Sequence, residues 1–188
     1  MDNSIARRAM IDSQLRPQGV TDGAVLAAMG SVAREDFVPD RARTFAYVDR
    51  AIAFDNGGSM MPPVALARLL SELAPRAGER VLVVGAASGY SAALLGAIGL
   101  DVTSIEGPDA GAGEAFDLIL IDGAVDQIPQ PLVERLVEGG RLGAALRASG
   151  VSRLVVGRTV AGRLGLRTII EADVASLPQF ERRREFIF

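Results

Sequence analysis

The chain has 188 residues, 49% of them apolar, and a formal net charge of −3. This size suits one domain with a well-buried core, and the charge leaves no basic footprint for nucleic acid. There is no Cys and no His, and all 20 basic residues are Arg, so thiol nucleophiles, imidazole bases, disulfides and Cys/His metal sites are excluded together.

No apolar run approaches the roughly 20 residues of a membrane span, and the N-terminus lacks a signal pattern. A cytoplasmic protein is expected, with no membrane partner, no nucleic-acid partner and no metal.

Residues 4–15 place Ile5, Met10, Ile11 and Leu15 near one face, which predicts an amphipathic helix. Thr21 or Asp22 can cap a second helix over 23–29. Arg34 to Pro39 reads as a break, 40–45 as a short helix and 51–54 as a short strand. Asp55-Asn56-Gly57-Gly58-Ser59 is a turn. Pro62-Pro63 then opens a helix to about Ala74. Residues 1–75 therefore read as a helical layer.

From Arg80 the pattern changes. Strands are expected at 80–84, 101–105, 116–121 and 141–146, and helices at 90–98 and 131–137, stopped by Gly99 and by Gly139-Gly140. Residues 152–158 and 164–170 read as an antiparallel pair about Gly162, and 186–188 as a last strand. Strand–helix alternation predicts a Rossmann-like α/β sheet over 76–188, parallel at first and antiparallel at its C-terminal end. The layer and the sheet are expected to form one structural unit.

Arg80 to Ser91 (R-V-L-V-V-G-A-A-S-G-Y-S) is a strand, a glycine loop and a helix start. Glycines let backbone turn tightly and approach a ligand, and the helix start offers unpaired N–H groups. Glu106 stands 21 residues after Gly85, near the roughly 20 expected of a carboxylate that binds ribose hydroxyls. It reads either as that ligand or as a solvated strand-end residue, and the loop upstream favours the ligand. Asp122 closes the 116–121 run, where ligands lie in such sheets. Asp117 reads as a strand-start residue, and Arg182-Arg183-Arg184 as a solvated face.

Several stretches resemble the protein-L-isoaspartate O-methyltransferase family, above all its shorter bacterial relatives. These are Met10 to Arg16, Val25 to Met29, Arg34-Glu35-Asp36-Phe37-Val38-Pro39, Ala46 to Asp49, Val81 to Tyr90, Phe116 to Ala124, Gly139 to Leu142 and Pro178 to Phe188. The resemblance implies a class I S-adenosylmethionine-dependent methyltransferase fold. It implies S-adenosylmethionine as cofactor, held by Gly85, Ala87, Ser88, Gly89, Glu106, Asp122 and Gly123. It also implies methyl transfer to the α-carboxylate of isoaspartyl residues in damaged proteins or peptides. A carboxylate is already a nucleophile at neutral pH, so positioning suffices and no strong base is needed.

Three departures stand out. Val83 occupies the family's acidic position before the loop, and Ala87 its middle glycine; together they predict weak cofactor binding. Only residues 107–115 lie between the strand ending near Glu106 and the one beginning at Phe116, too few for the usual crossover helix. A third strand and its helix are thus expected to be missing, leaving an uncovered sheet face or edge near 101–115. Met61 stands where the family holds the substrate carboxylate with a hydroxyl two residues before a Pro. Ser59 either substitutes for it as the catalytic hydroxyl or merely belongs to the turn. The departures leave open an alternative, a catalytically silent binding or structural module that self-associates as a homodimer through the truncated side. A dinucleotide oxidoreductase fits less well, because a second sheet half and a substrate domain are lacking.

Overall fold

The computed structural model describes residues 3–85, 87–108 and 113–180. The expected last strand at 186–188 and the arginine run at 182–184 lie outside the described residues.

Helix α1 (Ser4–Met10) runs on through a wider π turn, Ile11–Leu15, and a 3-10 turn, Arg16–Gln18. Asp22 begins α2 (Gly23–Ser31), its Oδ1 accepting the Val25 N–H at 3.0 Å, the capping that an Asp before an apolar run provides. Two 3-10 turns, Arg34–Phe37 and Asp40–Phe45, replace the expected break and short helix. A small hairpin follows, β1 (Ile52–Ala53) with β2 (Ser59–Met60). Pro63 opens α3 (Pro63–Leu73). Its terminal carbonyl at Ala74 accepts from Arg141 Nη1 at 3.1 Å.

The large sheet contains β3 (Arg80–Val84), β4 (Asp101–Ile105), β5 (Phe116–Val125), β6 (Leu136–Ala148), β7 (Val151–Val160) and β8 (Arg163–Glu171). Its order is β4-β3-β5-β6-β7-β8. Helix α4 (Tyr90–Ile98) joins β3 to β4, and α5 (Gln130–Val133) precedes β6. The first four strands are mutually parallel, and β7 and β8 are antiparallel additions.

Alternation along the strands divides the core. Val81, Val83, Leu118 and Leu120 face the helical layer and share one cluster with Met10, Leu15, Met29, Leu66 and Leu70. Leu82, Val84, Ile119 and Ile121 face the other way, against Leu132 and Leu177. The layer thus belongs to the sheet's own core. No helix among the described residues is long and apolar enough to cross a membrane.

Two boundaries differ from expectation. The helix at 131–137 is cut short: Phe116 N–H donates to Arg135 O at 2.7 Å and Phe116 pairs with Leu136, which draws the chain into β6 early. Gly139-Gly140 therefore lies inside β6 at a register shift instead of stopping a helix. Strand β5 likewise runs past Asp122 to Val125.

Among the described residues β4 pairs with β3 alone and forms the sheet edge. In the sheet β5 lies on the other side of β3 from β4. The expected uncovered stretch is seen on β4 itself, where Asp101, Thr103 and Ser104 are exposed; further into the sheet, Leu82, Val84, Ile119 and Ile121 are all buried, because Leu177 and Phe180 return to cover them. Asp117 is a strand-start tie, its Oδ2 accepting the Arg80 N–H at 2.9 Å.

Candidate cofactor site

The glycine loop leaves β3 by a sharp turn. Gly85 has φ +79° and donates its N–H to Ile105 O at 2.8 Å, tying the loop to the end of β4. A β-carbon there would stand 2.7 Å from Leu177 Cδ1, so both the torsion and the space require glycine. Ala87 N–H donates back to Gly85 O at 2.7 Å. Ser88 Oγ accepts the Tyr90 N–H at 3.1 Å, which satisfies one open donor at the start of α4. Gly89 precedes that helix with φ +73°.

Above the loop lies a cavity of about 500 Å³ lined by Asn56, Gly58, Gly85, Ala87, Glu106, Gly107, Pro178 and Gln179. Three of the expected residues, Gly85, Ala87 and Glu106, converge there. Its far wall comes from two places not anticipated, the 55–58 turn and the C-terminal segment. Gly58 lies against the Ala87 methyl so closely that a β-carbon on Gly58 has no room. Gly58 N–H donates to Asn56 Oδ1 at 3.0 Å, which holds the turn in this shape. Gln179 Nε2 donates to Glu106 O at 2.7 Å. The D-N-G-G turn was visible in the sequence, but nothing local tied it to the loop. The Gln179 contact spans 73 residues and leaves no local signal at all.

Asp122 and Gly123, expected at the cofactor, do not line this cavity. Because β5 continues, Asp122 sits in mid-strand at 2% exposure, facing the helical layer. Its Oδ2 accepts from Ser91 Oγ at 2.7 Å. Gly123 is covered by Leu177. Val83 is fully buried, so an apolar residue there serves the core. Met61 is also core, and its carbonyl accepts from Arg34 Nη2 at 2.6 Å. Ser59 is half-buried in β2, paired with Ala53, one residue beyond the cavity-lining Gly58.

A second polar group lies beneath the loop. Arg34 is fully buried, donates from Nε to Ala46 O at 2.8 Å, and sets its guanidinium 5.0 Å from the centre of the Tyr90 ring. Phe37 meets the same ring edge-on at 5.6 Å. Burial pushes the Asp122 carboxyl up to about 6, against the Ser91 hydroxyl and the Arg34 charge. Burial likewise pushes Tyr90 up to about 12, opposed by Arg34, and lowers the Arg34 guanidinium. Arg34 Nη1, Tyr90 OH and Asp122 Oδ1 have no hydrogen-bond partner among the described residues. Such groups are costly to bury, so this cluster fixes how the helical layer meets α4 and β5 at some expense in stability.

A glycine loop after β3, a carboxylate following its neighbour β4 and this sheet order define a class I methyltransferase, Rossmann-like fold. A structure described as a Plasmodium falciparum protein-L-isoaspartate O-methyltransferase in complex with S-adenosyl-L-homocysteine superposes with a TM-score of 0.77 at 15% identity, over 95% of this chain and 99% of that one. A second protein-L-isoaspartate O-methyltransferase structure gives 0.75 at 19% identity, over 90% and 65%. The sequence profile of the protein-L-isoaspartate(D-aspartate) O-methyltransferase family matches residues 6–109. Protein-L-isoaspartate O-methyltransferase 2 of Anaeromyxobacter sp. (strain Fw109-5) is 36% identical over 164 aligned positions, which cover 72% of this chain and 68% of that protein. The protein-L-isoaspartate O-methyltransferase of Koribacter versatilis (strain Ellin345) is 34% identical over 189 aligned positions, which cover 86% of this chain and 85% of that protein. The chain belongs to the protein-L-isoaspartate O-methyltransferase family. The 164 aligned positions exceed the 72% of this chain that they occupy, so that relative carries residues with no counterpart here.

Proposed function

We propose that the protein is an S-adenosylmethionine-dependent methyltransferase acting on isoaspartyl carboxylates of damaged proteins or peptides. One observation carries this reading: among the described residues, the cavity at the glycine loop is lined by one acidic residue, Glu106, and by no basic residue. That lining suits a nucleoside that carries a positively charged sulfonium. The volume lies within the roughly 300–1,000 Å³ usual for small-molecule sites.

When bound, the cofactor supplies a methyl group already activated for transfer. The protein's own groups bind and orient. Glu106 offers two acceptor oxygens to the ribose hydroxyls. Backbone at Gly85 and Ala87 meets the amino-acid end. Ser59, directly after Gly58, is the hydroxyl proposed to receive the substrate carboxylate. That carboxylate attacks without a base, which agrees with a chain lacking His and Cys. Labelled methyl transfer to an isoaspartyl peptide, with the aspartyl isomer as control, tests this reading. Incorporation into the first alone is expected.

A second reading, a silent binding module that pairs with another copy through β4, is favoured by the Ala87 methyl in the loop and by the edge position of β4 among the described residues. Exposed strand edges invite pairing. Cofactor binding without turnover, together with a dimer in sedimentation, would replace the first reading with the second.

A further inference from the structure

The cavity borrows a wall from the end of the chain. After β8 the backbone returns across the carboxyl ends of the parallel strands. Ala124 N–H donates to Ala175 O at 2.9 Å, and Leu177 N–H donates to Ala124 O at 2.9 Å. Leu177 then fills the space over Gly85 and Gly123. Two residues later Gln179 bonds the Glu106 carbonyl. The segment thus runs from the end of β5, over the end of β3, to the end of β4. No strand beyond β4 stands among the described residues, and Pro178 and Gln179 flank the cavity at that end, beside Glu106 and Gly107.

We propose that Pro178 and Gln179 form the purine wall for the adenosyl group, with the Gln179 amide reading the base as adenine. This rests on the cofactor reading above. Glu106 takes the ribose hydroxyls in that reading. The base attached to that ribose then lies on the side away from the glycine loop, which is the side of Gly107, Pro178 and Gln179. The amide chemistry fits. A Gln side chain carries two N–H donors and an oxygen acceptor. One donor is held by the Glu106 carbonyl, which fixes the plane of the amide. The oxygen is left to accept from the adenine amino group and the second N–H to donate to N7, the two-bond pairing that Gln makes with adenine elsewhere. The ring of Pro178 offers an apolar surface beside it.

Titration calorimetry of the full-length protein with S-adenosylhomocysteine, and with its inosyl counterpart in which a carbonyl replaces the amine, tests the proposal. The unaltered protein is expected to prefer the adenosyl compound about tenfold, the worth of one good hydrogen bond. Gln179→Ala should lower adenosyl affinity by about the same factor and abolish the preference. Because Gln179 is exposed, the melting temperature should stay unchanged, which separates lost recognition from lost folding. If the unaltered protein binds and Gln179→Ala keeps both affinity and preference, the wall proposal is overturned and the cofactor reading stands. If the unaltered protein fails to bind S-adenosylhomocysteine at millimolar concentration, both are overturned.

Discussion

Gly123 and Leu177 fit together only because one of them has no side chain: a β-carbon on Gly123 would stand 2.5 Å from Leu177 Cγ. The leucine is itself 3% exposed, so it has nowhere to retreat. Gly123→Ala should therefore destabilise the protein by about 1–3 kcal/mol through overpacking. Leu177→Ala should cost about 2–5 kcal/mol by leaving a cavity. The double variant should be more stable than the two losses summed, because the alanine methyl occupies part of the emptied space. Urea denaturation of the four proteins measures this coupling, and simple additivity would refute the packing relationship.

Asp122 makes stability depend on pH in a direction unusual for a carboxylate. Its folded value is raised from 3.8 to about 6, so the folded state holds the proton more tightly than the unfolded state. The resulting stabilisation is fully present below about pH 4 and is lost as pH rises through about 6, for a total of about 3 kcal/mol. Asp122→Asn removes the titration while retaining a group that can accept from Ser91. The stability of the natural protein relative to this variant should fall between about pH 4 and pH 6 and stay level above that. A flat difference across that window would show that the carboxyl does not titrate there.

The chain has two tyrosines, and both resist ionisation. Burial pushes Tyr47 up to about 12, reinforced by the bond to Glu35 and opposed by Arg7. Tyr90 reaches about 12 by burial. Tyrosinate absorbance should be absent in the folded protein at pH values where the denatured chain, with ordinary phenols near 10, shows both. A raised folded value means stability is lost as pH climbs from about 10 towards 12, so tyrosinate should appear together with unfolding. A phenol ionising near pH 10 in protein still folded by circular dichroism would contradict the burial of one of them.

The Ala87 methyl occupies the space beside Gly58 where a β-carbon on that residue would go, at the rim of the cavity. Ala87→Gly removes the methyl and lets backbone approach a ligand more closely. S-adenosylhomocysteine affinity should rise several-fold, while stability falls by about 0.5–1 kcal/mol because glycine gains freedom in the unfolded chain. Calorimetry and thermal melting read the two effects separately. Unchanged affinity would show that the methyl does not limit binding.

The strand, loop and helix from Arg80 to Ile98 were legible because each signal is local: a β-branched run, a glycine where φ turns positive, and a helical run stopped by Gly99. The cap at Asp22 and the opening of α3 at Pro63 were legible for the same reason. Asp122-Gly123 misled because the pair looks like a strand end. Strand β5 continues through it because Ser91 donates to one carboxyl oxygen and Leu177 uses the space above the glycine, and both partners are distant in sequence. Gly139-Gly140 misled in the same way, since pairing with Phe116 decides that stretch. The spacing of Glu106 and Gly85 brought them to one cavity. Asn56, Pro178 and Gln179 were not legible, because they reach the cavity through contacts that sequence proximity does not encode.

The return of Leu177 also sets the order in which the protein becomes whole. The sheet face toward the helical layer draws chiefly on residues already made when β5 is complete. The opposite face waits for a side chain near the end of the chain. Until it arrives, Leu82, Val84, Ile119 and Ile121 lack part of their cover, a window in which exposed apolar surface promotes aggregation. A nascent chain, or one trimmed by a protease just before Leu177, would therefore carry a finished front and an open back, and would become a client for chaperones.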